Sequence, residues 1–149
     1  MSHDECRKML ELQHRQLRAL IARVRETAFK ALKSDYAASA ELHVLVGVLR
    51  AEIEKHLMAE ESLLGPILER VDAWGSVRLD LMRAEHAHQR AVLAVLRSER
   101  AGGLPAALFA PRVLGLLDDI SADMDAEDKD LLDPRVLRDD VIQLDASDA

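Results

Sequence analysis

The chain has 149 residues, of which 49% are apolar and 32% are charged, and its formal net charge is −7. This length suits one domain with a core of its own, and the composition excludes intrinsic disorder for most of the chain. A single cysteine, Cys6, excludes a disulfide framework and a zinc site built from thiolates, and the 3% of aromatic residues argues against a β-sandwich or barrel.

The distribution of charge and hydropathy narrows the expected partners. Residues 118–149 hold twelve acids and three bases, a balance of −9, so residues 1–117 sum to +2 and contain no long basic stripe. Nucleic acid is therefore not an expected partner. The N-terminus is polar, and no apolar run approaches the roughly 18 residues that a membrane span needs. We expect a soluble, cytoplasmic protein with no signal peptide and no membrane contact.

The first two predicted helices run from Ser2 to Lys33 and from Ser34 or Asp35 to Leu64. Ser2-His3-Asp4-Glu5 has the form of a capping box, in which each of the two outer side chains accepts the other residue's backbone N–H. Gly65-Pro66 is expected to break or kink the second helix and to leave a short piece over residues 67–72. Apolar residues recur at helical spacing in both segments: Cys6, Leu10, Leu17, Ile21, Val24 and Ala28, then Leu42, Leu45, Leu49 and Ile53.

The third predicted helix is capped by Ser76 and runs to about Arg100. The glycine-rich stretch over residues 101–105 reads as a linker. A fourth helix begins near Pro105 or Pro111 and ends near Leu132, where Pro134 opposes its continuation. We predict one domain over residues 1–140 and an acidic tail over residues 141–149.

Four long helices with short connections predict an all-α fold, an up-down-up-down antiparallel four-helix bundle. Abundant Leu, Val and Ala with few aromatic residues suits the packing of such a bundle. Polar residues on the apolar stripes are then the informative ones, because a buried ionisable group is costly unless it is paired or bound to a cation.

Three ionisable residues interrupt the apolar stripes of the first two helices. His14 lies four residues after Leu10. His56 lies three residues after Ile53, and Glu60 lies one turn beyond it on the same face. A single inward histidine is more often a hydrogen-bonded core residue than a ligand. Inward histidines on separate helices point instead to a shared metal, and imidazole with carboxylate suits zinc, iron or manganese.

The third helix leaves two histidines as alternatives. His86 and His88 lie on two different apolar lines, and the periodicity does not choose between them. His43, on the second helix, has Ser39, Gly47 and Arg50 as its neighbours at helical spacing and is predicted to be a surface residue.

The fourth helix contains no histidine. Its apolar stripe passes through Met124 to Asp128, and Asp123 and Glu127 lie one position earlier on the same side. This helix is therefore expected to bring carboxylates, and no imidazole, to the interior.

With these residues identified, the sequence resembles the hemerythrin-like, or HHE cation-binding, family over about residues 8–134. The resemblance rests on ELQHRQLRALIARV around His14, on KHLMAEESLLGPIL, and on MRAEHAHQRAVL. It implies a four-helix bundle that holds a pair of irons through histidines and bridging carboxylates. It also implies that His14, His56, Glu60 and His86 are ligands, since Glu85-His86 matches the family's Glu-His on the third helix.

The fourth helix departs from the family pattern. ADMDAEDKDLLDP is similar to the family's H-x-x-x-E-E-x-x-L-x-P, but the histidine position falls on Met124 or Asp123, depending on the spacing used. Asp128 is the carboxylate in both alignments and joins the implied ligands, whereas Asp123 and Glu127 depend on the alignment. The missing imidazole leaves open a site with one metal, with a different metal, or with none.

The leading hypothesis is a small metal-binding protein for iron or oxygen sensing, binding or storage. Its expected cofactor is mono- or dinuclear non-haem iron, and zinc or manganese are less favoured metals. Dioxygen would be a further partner. A ferritin-like oxidase site is a second hypothesis, based on the Glu-x-x-His spacing of Glu11–His14 and Glu85–His88. A third is a metal-free bundle that acts as a regulatory or protein-interaction module. The sequence contains no nucleophilic triad, phosphate loop or cofactor fingerprint, so an independent catalytic role has little support.

Overall fold

The computed structural model describes residues 1–33, 35–101, 103 and 105–137, without the side chains of residues 99–101. Most of this part consists of four helices, α1 (His3–Leu32), α2 (Tyr36–Val71), α3 (Gly75–Ala101) and α4 (Ala106–Asp130). The predicted all-α, four-helix fold is therefore confirmed. No helix in these ranges is long and apolar enough to cross a membrane. The predicted boundary at residue 140 and the predicted tail over 141–149 lie outside the described residues.

The starts of α1 and α2 follow from their capping residues. The Ser2 hydroxyl accepts the Glu5 N–H at 3.1 Å, and the Glu5 carboxylate accepts the Ser2 N–H at 2.7 Å. The predicted capping box is therefore present. At α2, the Asp35 carboxylate accepts the Ala38 N–H at 3.0 Å. Both helices begin where a side chain satisfies an otherwise unpaired backbone donor.

Of the two outcomes predicted at Gly65-Pro66, the break is wrong, because α2 continues through Pro66 to Val71. A proline inside a helix costs about 3 kcal/mol, since it removes a backbone hydrogen bond and crowds the preceding turn. Leu64 and Leu68, on either side of it, are fully buried in one cluster with residues of α1 and α3. Burying each leucine contributes about 1.5–3 kcal/mol, so packing offsets the cost of the proline.

The third helix begins at Gly75, so Ser76 lies inside it and is not its cap. The connection before it is tight: the Gly75 N–H donates to the Asp72 carbonyl at 3.2 Å, and the Asp72 carboxylate accepts the Trp74 N–H at 2.8 Å. Glycine is required here because a Cβ would lie 1.6 Å from the Leu68 carbonyl oxygen. This close approach between the end of α2 and the start of α3 fixes the boundary.

The fourth helix starts directly after Pro105, the earlier of the two predicted starts, and includes Pro111. It ends at Asp130, two residues before the predicted end. The Leu131 and Leu132 N–H groups both donate to the Glu127 carbonyl, at 2.8 and 2.9 Å, which closes the last turn.

The core consists of two apolar clusters, one at each end of the bundle. The starts of α1 and α3 share a cluster with the end of α2 and with residues that follow α4: Cys6, Leu10, Leu64, Leu68, Leu79, Met82, Leu131, Leu132 and Leu137. A larger cluster fills the other end and includes Leu17, Leu57, Leu93 and Met124. The residues between these two clusters on each helix lie at the middle of the bundle.

Candidate metal centre

A layer of buried ionisable side chains separates the two apolar clusters. Each helix contributes at least one member, and every member is 6% exposed or less: His14 from α1, His56 and Glu60 from α2, His86 from α3 and Glu127 from α4. On α1, for example, His14 lies between Leu10 of one cluster and Leu17 of the other. Because residues three and four apart share a helix face, the same periodicity that buries the leucines directs these side chains inward.

The nitrogen and oxygen atoms of these side chains converge. His14 Nε2 lies 2.9 Å from His56 Nε2, 3.0 Å from Glu60 Oε1 and 3.2 Å from Glu127 Oε2. One ligand atom from each of these four residues lies within 4.8 Å of all the others. Neighbouring ligand atoms around an octahedral ion with bonds of about 2.1 Å are separated by about 3 Å. The spacing in this cluster therefore matches that of a metal-ligand shell.

Glu60 connects this group of atoms to His86. Glu60 Oε1 lies 2.7 Å from His56 Nε2, whereas Glu60 Oε2 lies 2.9 Å from His86 Nε2. Glu127 Oε1 lies 3.9 Å from the same His86 nitrogen. The two oxygens of Glu60 thus contact different histidines, so this carboxylate would hold a cation together with either of them.

The outer ring nitrogen of each inward histidine is hydrogen-bonded to a residue of a neighbouring helix. The Nδ1 atoms of His14, His56 and His86 contact Asp128 Oδ1 at 2.6 Å, Gln13 Oε1 at 2.8 Å and Glu61 Oε1 at 2.9 Å, respectively. An acceptor at Nδ1 holds a proton on that nitrogen and directs Nε2 inward. Metal-binding histidines nearly always have such an outer partner.

Arginines hold two of these outer acceptors in place. Arg18 donates to Asp128 Oδ2 at 2.7 Å, and Arg90 donates to both oxygens of Glu61, at 2.6 and 3.2 Å. Arg90 also donates to Glu54, and its hydrogen bond to Glu61 holds the pKa of that carboxyl below its usual value. The arginines therefore hold both acceptors in their orientation toward the histidines.

In the metal-free protein the cluster holds protons. Burial alone would lower the pKa of His14, but the carboxylates of Glu127, Glu60 and Asp128 outweigh it and raise the pKa to about 10. Burial raises the pKa of Glu127 to about 8, and the charge of Glu60 acts in the same direction. Burial would likewise raise the pKa of Glu60, but contacts with the three histidines hold it well below its usual value. A cation entering the cluster must displace these protons.

A buried oxygen of Glu127 shows that these residues fit a cation. Glu127 Oε2 has no hydrogen-bond partner among the described residues, because its 3.2 Å contact with His14 Nε2 lacks hydrogen-bonding geometry. Leaving a buried carboxylate oxygen unsatisfied is costly. A divalent cation would satisfy this oxygen and balance the charges of Glu60 and Glu127.

The structure brings together five of the seven residues that the sequence offered as ligands: His14, His56, Glu60, His86 and Glu127. The other two lie elsewhere. Asp128 contacts the outer nitrogen of His14 and is one-third exposed. Asp123 accepts a hydrogen bond from the buried Gln89 side chain at 2.8 Å and so joins α4 to α3.

Of the three histidines outside the cluster, His88 and His43 bear on the predictions made from the sequence. His88 is 63% exposed and has its Nε2 3.9 Å from an Asp119 oxygen, which contradicts the ferritin-like hypothesis that required His88 as a ligand. His43 is half-buried, and its ring stacks on Phe109 with the centroids 4.6 Å apart. The prediction of a surface position for His43 is therefore wrong, since the apolar face of Phe109 covers one side of the ring.

Two of the three outer partners, Glu61 and Gln13, were missed in the sequence analysis, and Asp128 was expected as a ligand rather than as a partner of His14 Nδ1. Glu61 is the second glutamate of the H-x-x-x-E-E motif, so that motif could have identified it. Gln13 has no comparable local signal, because its contact is with His56, 43 residues away and on another helix. Arg18 and Arg90 likewise act through contacts between helices.

Comparison with known families identifies the family of the chain. The model of the hemerythrin HHE cation binding domain matches residues 6–133. Neither a curated protein nor a solved structure gives a significant match to the chain. The matched range includes all five converging residues and all three outer acceptors.

Proposed function

Because the chain belongs to the hemerythrin HHE cation-binding family, we propose that it is a non-haem iron protein. The observation that carries this proposal is the shared arrangement of the three inward histidines. Each directs Nε2 at the carboxylates of the interior and donates from Nδ1 to an acceptor on a neighbouring helix. The proposed ligands are His14, His56, Glu60, His86 and Glu127.

The number and type of ligand atoms favour iron. Imidazole and carboxylate together suit iron, manganese and zinc. Structural zinc is almost always held by four ligands in a tetrahedron. Here five side chains converge, and two of them are carboxylates with two oxygens each. This set exceeds what a tetrahedral ion uses, so we place iron and manganese ahead of zinc. We place iron first because the resemblance of the sequence implies iron.

The cluster contains two unequal metal positions in this proposal. The first lies among His14, His56, Glu60 and Glu127, whose ligand atoms face one another. The second lies beside His86 and shares Glu60 through Oε2. The second position has fewer ligands, because α4 supplies no histidine and Met124, one of the two positions where the family pattern has its histidine, is buried in the larger apolar cluster. We therefore expect the first ion to bind more tightly than the second.

The proposed role is the sensing, binding or storage of iron or dioxygen. Iron in this site would supply reversible binding of dioxygen or exchange of an electron. The chain itself contributes two apolar clusters that exclude water on both sides of the site. A cavity of about 240 Å³ between α1 and α2 extends to His56, which gives small molecules a way to approach. We propose a cytoplasmic location, where the free Cys6 stays reduced.

Anaerobic loading with ferrous iron tests this proposal. We expect purified protein to retain iron after desalting, in a strong and then a weaker step, and to melt at a higher temperature. At a free concentration of 100 times Kd, binding to the folded state adds about 2.7 kcal/mol of stability. His86→Ala should remove the weaker step, whereas His88→Ala, which changes an exposed histidine, should leave both steps intact.

Failure of the wild-type protein to retain iron, with a melting temperature that iron, manganese and zinc leave unchanged, would refute the proposal. That result would favour the metal-free interaction module. Retention of iron by both the wild type and His86→Ala in one step would instead show that only the first position binds.

A further inference from the structure

The three inward histidines differ in the chemical type of the group that holds their outer nitrogen. Carboxylates hold His14 and His86, and an ionised carboxylate can only accept a hydrogen bond. Gln13 holds His56 with a side-chain amide, whose oxygen accepts and whose nitrogen donates. The ring proton of His14 and His86 is therefore directed to Nδ1, whereas an amide supports either arrangement at His56.

The two carboxylates are also fixed more firmly than the amide. Arg18 donates to the oxygen of Asp128 that faces away from His14, and Arg90 donates to both oxygens of Glu61. Gln13 contacts His56 and has no ion pair or second hydrogen bond among the described residues. The amide at His56 is thus the outer partner that can turn.

The cavity between α1 and α2 provides the space for that movement. Its volume is about 240 Å³, and Gln13 and His56 both line it, together with Gln16, Glu52 and Lys55. His56 is 6% exposed, whereas His14 and His86 are fully buried. Solvent in this cavity therefore reaches the one inward histidine whose outer partner is neutral.

We infer that Gln13 is a positioning residue that makes His56 the exchangeable ligand of the proposed metal site. With its oxygen on Nδ1, the amide keeps the proton there and leaves the Nε2 lone pair free to coordinate. When the amide is turned, its nitrogen donates a hydrogen bond to Nδ1 of His56. The ring proton then lies on Nε2, which cannot coordinate a metal. The inference rests on the proposed iron site.

The exchange step is balanced without any change in oxidation state. Release of a bound ion by His56 would leave both electrons of the bond on Nε2, and water from the cavity would supply the oxygen that replaces it. One proton leaves Nδ1 for cavity water, and one proton from that water is taken up at Nε2. One proton leaves the ring and one is taken up, so the charge of His56 does not change in the step.

Release of Co²⁺ to excess chelator, followed by the visible absorption of the bound ion, tests this inference in the full chain. Gln13→Glu offers only acceptor oxygens, so we expect release to be about tenfold slower or more. Gln13→Met offers no comparable acceptor, so we expect release about 10–100-fold faster. Gln16→Met is the matched control, because Gln16 lines the same cavity without a hydrogen bond to His56, and it should release at the wild-type rate.

The opposite directions of these changes separate positioning from a general structural role. A structural defect would speed release in both Gln13 variants and lower the melting temperature of both metal-free proteins. The cobalt spectrum of Gln13→Glu should match the wild type, because the ligand set is the same. Release from Gln13→Glu at or above the wild-type rate would overturn the inference alone. A wild-type protein that binds no Co²⁺, iron or manganese would refute the proposed site and the inference with it.

Discussion

Replacement of Glu127 by glutamine is expected to weaken metal binding and, at the same time, to stabilise the metal-free protein. The two effects have one cause. Glu127 is 4% exposed, one of its oxygens lacks a hydrogen-bond partner in the described structure, and Glu60 lies in the same cluster. The carboxylate is therefore unfavourable for the folded protein until a cation enters.

The size of the stabilisation follows from proton uptake. The pKa of Glu127 is raised from 4.5 to about 8, so at pH 7 the folded protein takes up a proton that the unfolded chain does not bind. This uptake costs about 3 kcal/mol at pH 7. Glutamine removes this cost, but it also removes a carboxylate that helps to raise the pKa of His14, and its amide must find partners, so the net gain is about 1–2 kcal/mol. Because the folded-state pKa is raised, the gain is absent below pH 4.5 and grows until pH 8.

The loss of metal affinity is larger than this gain. Glutamine keeps the size of the side chain but removes one of the two negative charges that balance a divalent cation. Breaking a buried charge pair costs about 3–5 kcal/mol, which corresponds to a rise in Kd of roughly a hundredfold to several thousandfold. The metal-loaded variant should therefore be less stable than the metal-loaded wild type.

Urea unfolding of chelator-treated protein at pH 5 and pH 8, together with competition titrations for the metal, measures both effects. Asp130→Asn, an exposed carboxylate of α4, is the matched control and should change neither. We expect the gain from Glu127→Gln to be larger at pH 8 than at pH 5. A variant that is less stable at both pH values and binds metal like the wild type would show that Glu127 does not face the metal.

Three further predictions concern neighbouring residues. His56→Ala should lower metal affinity more than Asp123→Ala does. Asp123→Ala loses only a hydrogen bond to Gln89 and about 1 kcal/mol of stability. Calorimetric titration of both variants with metal measures the difference. Asp128→Asn should weaken binding by about 10–100-fold without changing the stoichiometry, as measured by equilibrium dialysis; an unchanged Kd would contradict the hydrogen bond to His14. Metal affinity should rise from about pH 6.5 towards pH 10, because His14 must lose a proton from a pKa raised to about 10. By the same shift, His14 stabilises the metal-free protein below pH 6.5, and this contribution is lost as the pH rises through 10, which thermal melts across that range would show.

The sequence by itself determined the four helices and three of the inward residues. Apolar periodicity gives the buried face of a helix from local spacing alone, so His14, His56 and Glu60 could be identified as interruptions of a known face. His86 could not be identified in this way, because two apolar lines run along α3, one through His86 and one through His88. Only the resemblance to a family favoured His86. The structure buries His86 and exposes His88, because Leu79, Met82 and Leu93 set the inward face of α3.

Only the tertiary structure decided which carboxylate of α4 enters the site. Glu127 and Asp128 are consecutive, so their side chains point about 100° apart around the helix. Burial of Met124 and Leu131 turns α4 so that Glu127 faces inward and Asp128 reaches the outer nitrogen of His14. The spacing of residues along one helix predicts which of its faces is buried. It does not predict which side chains of a neighbouring helix contact that face. The contact of Gln13 could not be predicted from the sequence for the same reason, because its partner His56 belongs to another helix.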